Sequence, residues 1–286
     1  MSIAGCERYR DHAAWQHADE GTRQRWQAQS TQLQTLRRSP DPLRMPGKCS
    51  LCGRHTDFVW ADGATALNGC FRESLCCRLC YANSRQRAAA AVLFDQLDAA
   101  SARIYLTEQA SPFCLQLRRR VPGTVGSEFI SSWRQRLRLS AWLLRHGQAP
   151  GLRHQDITRL SFRDGDFDAV LSMEVLEHVP DYPAALRELG RVLKPGAALV
   201  LTVPFYANSA ETTTLARIDA SGRIEHLQPP EYHGDPLGGG VLCYHHFGWD
   251  LLDAIRAAGF SEAEAWRLCD PAQGWPEPQW VLRARR

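Results

Sequence analysis

The chain has 286 residues, 44% of them apolar and 23% charged, with 21 glycines and 16 prolines. That composition excludes a disordered, collagen-like or coiled-coil chain and leaves room for one large domain with a smaller appendage. The longest apolar run, Gly196 to Phe205, falls far short of the roughly 20 residues that span a bilayer. The amino terminus carries neither the basic segment nor the apolar core of an export signal, so a cytoplasmic protein without a membrane partner is expected. Net charge is +3, with 13 basic and 10 acidic residues in 1–100 and 21 of each in 101–286. A carboxy-terminal part that is neutral overall argues against nucleic acid, which selects clustered positive charge.

Residues 8–38, rich in Arg and Gln with Trp15 and Trp26 among them, read as one or two helices. Ser39-Pro-Asp-Pro42 then breaks the chain. Six of the ten cysteines lie between Cys49 and Cys80, as two C-x-x-C knuckles, Cys49-Ser-Leu-Cys52 and Cys77-Arg-Leu-Cys80, 24 residues apart. Outside an oxidising compartment, clustered cysteines are more often metal ligands than disulfides. Two knuckles complete a tetrahedral zinc site with no open position. Cys70 and Cys76 remain competing ligands, because Cys76-x3-Cys80 is also a workable spacing. Gly53 stands where the knuckle turn calls for a positive φ, and Phe58-Val59-Trp60 reads as a short strand of a zinc ribbon. A closed four-thiolate site favours a structural role over substrate or partner recognition. The chain thus divides into a helical segment over 1–45, a zinc-binding segment with a linker helix over 46–100, and a larger domain over 101–286.

From residue 101 strands alternate with helices, which implies a parallel sheet covered on both faces. Strands are expected at 104–107, 124–129, 152–156, 167–172 and 198–203, and helices at 84–102, 112–120, 133–146 and 181–193. Ser111-Pro112 supplies an N-cap and an N1 proline. Between 206 and 243 lies a long insertion with Pro229-Pro-Glu-Tyr-His-Gly-Asp-Pro236 and Gly238-Gly-Gly240. Such insertions at the carboxyl ends of parallel strands form lids or acceptor pockets. Tyr206, Glu231, Tyr232, His233, Asp235 and His245 are therefore acceptor candidates, and the glycines a hinge.

The run from Asp156 through Asp166-Phe-Asp-Ala-Val-Leu-Ser-Met-Glu-Val-Leu-Glu-His-Val-Pro-Asp181 to Arg187-Glu-Leu-Gly-Arg-Val-Leu-Lys-Pro-Gly196 resembles class I S-adenosylmethionine-dependent methyltransferases. It is most similar to the small-molecule branch that includes the ubiquinone-biosynthesis O-methyltransferases. The resemblance implies a Rossmann-like, doubly wound, mostly parallel seven-stranded sheet with S-adenosylmethionine bound at its switch point. By that resemblance Glu128 would hold the ribose, Asp156 the adenine amino group and Ile157 the ring. Glu108, Ala110, Phe129, Ser172 and Met173 complete the implied cofactor-binding set. One departure stands out: Gln109-Ala-Ser-Pro112 replaces the family's glycine-rich turn. The cofactor then sits differently, binds more weakly, or is lost.

Glu174, Glu177 and His178 form an E-x-x-E-H pattern and share one face if that segment is helical. With His245 or His246 as a fourth ligand they would hold a second, divalent metal. The pattern is similar to metal-dependent O-methyltransferases, in which the ion acts as a Lewis acid on the acceptor oxygen. The competing reading makes His178 a proton acceptor without metal, with Glu177 beside it. The resulting expectation is a methyltransferase acting on an oxygen or nitrogen of a small molecule. The alternatives are a non-catalytic binding or regulatory module of the same fold and a zinc-ribbon RNA methyltransferase.

Overall fold

The computed structural model describes residues 3–38, 43–61, 63–64, 69–234 and 240–286. Ser39-Pro-Asp-Pro42, Asp235 and the Gly238-Gly239 part of the expected hinge lie outside the described residues. In chain order, β1 (Cys6–Tyr9) is followed by α1 (His12–Gln16) and α2 (Glu20–Arg38). A three-stranded unit comes next: β2 (Arg44–Lys48), β3 (His55–Trp60), the one-turn α3 (Phe71–Ser74) and β4 (Leu75–Cys77). Then come α4 (Ser84–Phe94), β5 (Arg103–Leu106), α5 (Pro112–Arg120), β6 (Gly123–Gly126), α6 (Trp133–Arg145), β7 (Phe167–Met173), α7 (Tyr182–Val192) and β8 (Leu193–Thr202). The insertion folds into short pieces: β9 (Thr213–Thr214), β10 (Ala216–Ile218), β11 (Ile224–His226), β12 (Tyr232–His233), β13 (Val241–Leu242) and β14 (His245–His246). The chain closes with α8 (Asp250–Ala257), β15 (Glu262–Asp270) and β16 (Trp275–Arg285).

The central sheet has seven strands in the order β1-β15-β16-β8-β7-β5-β6. Pairs among β6, β5, β7 and β8 are parallel, and β16 runs against both β8 and β15. Five of the seven strands therefore point one way, as expected for this α/β class. Alternation along β5 sends Ile104 and Leu106 to one core and Tyr105 to the other. The first core takes up α4, α5 and the cysteine unit, through Val92, Leu117, Phe58 and Leu75. The second takes up α7 and α8, through Leu186, Leu189, Leu252 and Ile255.

Two strands differ from expectation. Residues 152–156 do not form a strand; isolated bridges from His154 to Glu128 and from Asp156 to Arg159 stand in its place. The reason lies in Gln109, whose side chain takes the local backbone groups, accepting from Arg153 N at 2.9 Å and donating to Gly151 O at 2.7 Å. The seventh strand comes instead from the amino terminus, within the segment read as helical. β1 pairs antiparallel with β15, Cys6 opposite Leu268 and Tyr9 opposite Ala265. Glu7 anchors it by pairing with the buried Arg267 at 3.1 Å, and Tyr9 packs edge-on against Trp15, Trp26 and Trp249.

Candidate active site

The carboxyl ends of β5, β6 and β7 converge on a cavity of about 340 Å³ whose walls include Phe129, Asp156, Ile157, Val175 and His178. This is the crevice in which open α/β sheets bind ligands. The surface it exposes is mainly apolar, from Phe129, Ile157, Val175, Val179 and Pro180, with polar groups such as Thr107, Ser127, Gln155 and Asp156 among them, as in small-molecule pockets. Asp156 Oδ1 closes a local turn by accepting from Thr158 N and Thr158 Oγ1 at 2.9 and 2.7 Å. Ser172 and Met173 are buried and do not line the cavity. Ser172 lies beneath it, where its hydroxyl accepts from Thr107 Oγ1 at 3.0 Å.

The glycine-poor turn after β5 is held from outside. Gln109 N and Ala110 N both donate to Glu128 Oε1, at 2.8 and 2.7 Å. Close approach is provided by Gly126 on the neighbouring strand, where an added Cβ would meet Glu108 O at 2.6 Å and Gln109 Cα at 3.0 Å. The glycine that the turn lacks therefore stands opposite it. Gly126→Ala is expected to push this turn off β6 and cost about 1–3 kcal/mol, seen as a lower denaturant midpoint with an unchanged m-value. Glu108, at the head of the turn, has Oε1 buried without a hydrogen-bond partner among the described residues. Burial pushes its carboxyl up to about 7, the Glu128 charge adding to the effect and Arg85 opposing it.

The E-x-x-E-H segment is not one helical face. Glu174 takes a left-handed φ of 51° and turns the chain out of β7, and a 3-10 turn, Leu176–His178, follows. Glu174 thereby leaves the cluster and pairs with Arg72 at 2.8 Å, with Arg85 at 3.8 Å. Both arginines come from the cysteine unit and its linker helix, and no local pattern in the sequence announced them. Glu177 is fully buried, and among the described residues neither carboxylate oxygen has a hydrogen-bond partner. His178 Nε2 and His233 Nδ1 each lie 3.8 Å from Glu177 Oε1. The opposite nitrogens are tied down, His178 Nδ1 to Leu242 O at 2.8 Å and His233 Nε2 to Glu231 Oε1 at 3.0 Å. Burial holds His178 below the usual histidine range, so its ring is neutral with the Nε2 lone pair turned inward. Glu177, His178 and His233 together offer one carboxylate and two imidazole donors within 4.8 Å of one another.

His233, read from sequence as an acceptor residue, thus occupies the place expected for His246. His246 instead bonds Glu231 Oε2 at 2.9 Å and stacks on Tyr206, beside the buried Cys243. His245 does not enter the site. It is buried between Tyr182 and Phe247, with Nε2 3.3 Å from Pro180 O. Tyr232 is exposed.

Cys49, Cys52, Cys77 and Cys80 converge in a second cluster, leaving Cys70 at the head of α3 and Cys76 outside it. Sγ–Sγ separations are 3.7 Å for Cys49–Cys80 and 4.0 Å for Cys52–Cys77. A tetrahedral ion with bonds of about 2.3 Å sets its sulfurs about 3.8 Å apart, so the four thiols fit zinc. Each knuckle closes with a five-residue turn, Gly53 N to Cys49 O and Tyr81 N to Cys77 O, both at 2.8 Å. Gly53 and Tyr81 both have positive φ, 73° and 61°. Arg87, fully buried, donates to Leu75 O, Ala82 O and Gly274 O and lies over the Phe58 ring. Its charge offsets that of the thiolates while it pins the unit to the β15–β16 turn.

Residues 124–201 match the family described as Methyltransferase domain. The chain is 58% identical over 121 residues to a ubiquinone biosynthesis O-methyltransferase of Xanthomonas oryzae pv. oryzae, covering 42% of this chain and 44% of that one. It is 51% identical over 49 residues to a demethylmenaquinone methyltransferase of Staphylococcus saprophyticus, covering 17% and 21%. The chain therefore spans less than half the length of these curated relatives. Among solved structures, an S-adenosylmethionine-dependent methyltransferase from Mesorhizobium loti superposes with a TM-score of 0.43 at 23% identity, over 69% of this chain and 98% of that one. The stretch that matches the methyltransferase domain family, 124–201, runs from β6 through β8 and includes the segments that wall the cavity.

Proposed function

We propose that the protein is an S-adenosylmethionine-dependent methyltransferase acting on an oxygen of a small molecule, with a divalent ion beside the acceptor and a structural zinc on the four cysteines. The observation that carries the ion is Glu177, a buried carboxylate with no hydrogen-bond partner among the described residues and two imidazole lone pairs turned toward it. A buried charge in that state is costly unless it is paired or ligates a metal. The match to a methyltransferase domain and the cavity at the strand ends support the cofactor. Phe129, Asp156 and Ile157 would hold the nucleoside, and the unpartnered Glu108 oxygen offers an acceptor for an ammonium group. S-adenosylmethionine supplies a methyl group already activated on its sulfonium. Glu177, His178 and His233 would hold the divalent ion, which supplies Lewis acidity toward the acceptor oxygen.

What remains for the chain is alignment, exclusion of water and disposal of one proton. Ile157, Val175 and Val179 keep the cavity apolar, and His178 joins the cavity wall to the carboxylate cluster. Tyr206 and His246, stacked with centroids 4.7 Å apart, border the same cluster from the lid side. That double membership of His178 also favours a second reading, in which Nε2 takes the acceptor proton directly and no ion is needed. Titration calorimetry with S-adenosylmethionine tests the cofactor, and a folded protein that binds none would leave only a non-catalytic module. Methyl transfer measured in chelator and then with Mg²⁺ or Mn²⁺ separates the two roles of His178. Activity that persists undiminished in chelator makes it a base.

A further inference from the structure

The cluster around Glu177 depends on a residue outside it. His233 can present an Nδ1 lone pair toward Glu177 only when its ring proton sits on Nε2. That nitrogen lies 3.0 Å from Glu231 Oε1. The other oxygen of the same carboxylate lies 2.9 Å from His246 Nε2. An ionised carboxylate only accepts, so both histidines donate to it, and the tautomer of each is set by Glu231. His178 has a different anchor, the Leu242 carbonyl on β13. β13 pairs with β12, which carries His233. Leu242 and His233 therefore hold the two imidazoles from one small hairpin, but only His233 relies on a side chain to choose its tautomer.

We infer that Glu231 is a positioning residue that fixes the tautomer and ring orientation of His233 and so sets how tightly Glu177, His178 and His233 hold a divalent ion. This rests on the ion reading proposed above. A metal-ligating histidine whose second nitrogen donates to a carboxylate is more basic and better oriented, and loss of such a partner costs 10–100-fold in metal affinity. Glu231 is suited to the task because its two oxygens are shared between two rings, which prevents the carboxylate from rotating toward the ion itself. The link also ties β12 to β14 and, through the stack on His246, to Tyr206.

The test uses the full chain with its cysteine-bound zinc in place. Hard Mn²⁺ does not compete for thiolates, so its binding, followed by the spin resonance of the free ion, reports on the other cluster. Ring ¹⁵N spectra of the Mn²⁺-free protein report the His233 tautomer independently. Glu231→Ala is expected to weaken Mn²⁺ roughly 10–100-fold and to give His233 a mixture of tautomers, whereas Glu231→Gln, with an amide oxygen able to accept the same N–H, recovers most of both. Glu231→Met, similar in length and unable to accept from the ring, stands in if the alanine variant does not fold. Wild-type affinity and an unmixed Nε2–H tautomer in the alanine or methionine variant would overturn the inference while the ion reading stands. If neither the wild type nor Glu177→Ala binds Mn²⁺, the ion reading falls and takes this inference with it.

Discussion

If the four cysteines hold zinc as proposed, replacing Cys77 with serine is expected to release it and unfold the β2–β4 unit together with one face of the central sheet. A structural zinc is worth on the order of 10–16 kcal/mol to small metal-dependent modules, as much as the roughly 5–15 kcal/mol net stability of a whole domain. The cysteine unit is not a detached appendage whose loss the rest would survive. Cys49, Leu51, Phe58, Phe71 and Leu75 belong to the same buried cluster as Leu106, Leu171, Val200 and Trp266 of the sheet. Cys77 is buried in the four-thiol cluster with Cys52 Sγ at 4.0 Å, so the substitution removes one of the four candidate ligands. Arg72 would be lost with the unit, removing the 2.8 Å pair that holds Glu174 away from Glu177. Native mass spectrometry and near-ultraviolet circular dichroism measure both effects. A Cys77→Ser chain that holds no zinc and melts at the wild-type temperature would remove the structural role.

Glu177→Gln should separate stability from ion binding. Burial pushes the Glu177 carboxyl up to about 8, with the nearby Glu174 charge adding to the effect. The folded, ion-free protein therefore holds a proton on Glu177 that the unfolded chain releases near 4.5. Below 4.5 both states are protonated and the residue costs little. As pH rises from 4.5 to about 8 the unfolded state gains the advantage, and the ion-free protein loses stability through that window. The glutamine variant, with nothing to ionise, should lack this part of the pH dependence and be the more stable ion-free protein at pH 8. Its Mn²⁺ affinity should fall by more than the roughly 10–100-fold of a change outside the ligand shell. Denaturant titrations at pH 5 and pH 8, with chelator present, read the first effect. A variant that keeps the wild-type slope with pH would show that Glu177 is not the group responsible.

What the sequence made legible was whatever is decided locally. The two C-x-x-C knuckles fix their own turns, so spacing alone located the cluster, and the positive φ of Gly53 follows from the same turn. The alternating strands from β5 to β8 announce themselves by buried apolar runs, as in Phe167–Met173. The E-x-x-E-H pattern brings Glu177 and His178 together but not Glu174. Helical spacing puts three side chains together, but the left-handed turn at Glu174 sends one of them to Arg72, 102 residues earlier in the chain. His233 and Glu231 reach the cluster from a lid whose short hairpins carry no strong periodicity. β1 was illegible for a related reason, since a four-residue strand at a sheet margin is held by a few specific pairs, such as Glu7 with Arg267, rather than by an apolar pattern.

The docking of that amino-terminal strand bears on how copies of the molecule meet. Without it, the outward N–H and C=O groups of β15, whose other edge is paired with β16, would be a template on which another chain could extend the sheet. β1 covers the middle of that edge, from Ala265 to Leu268, and its own outward margin is only four residues long. At the opposite margin β6 is equally short, and the bridge at His154 occupies the chain just beyond it. Both ends of the sheet are thus blunted against edge-to-edge aggregation, one by a borrowed strand and the other by brevity.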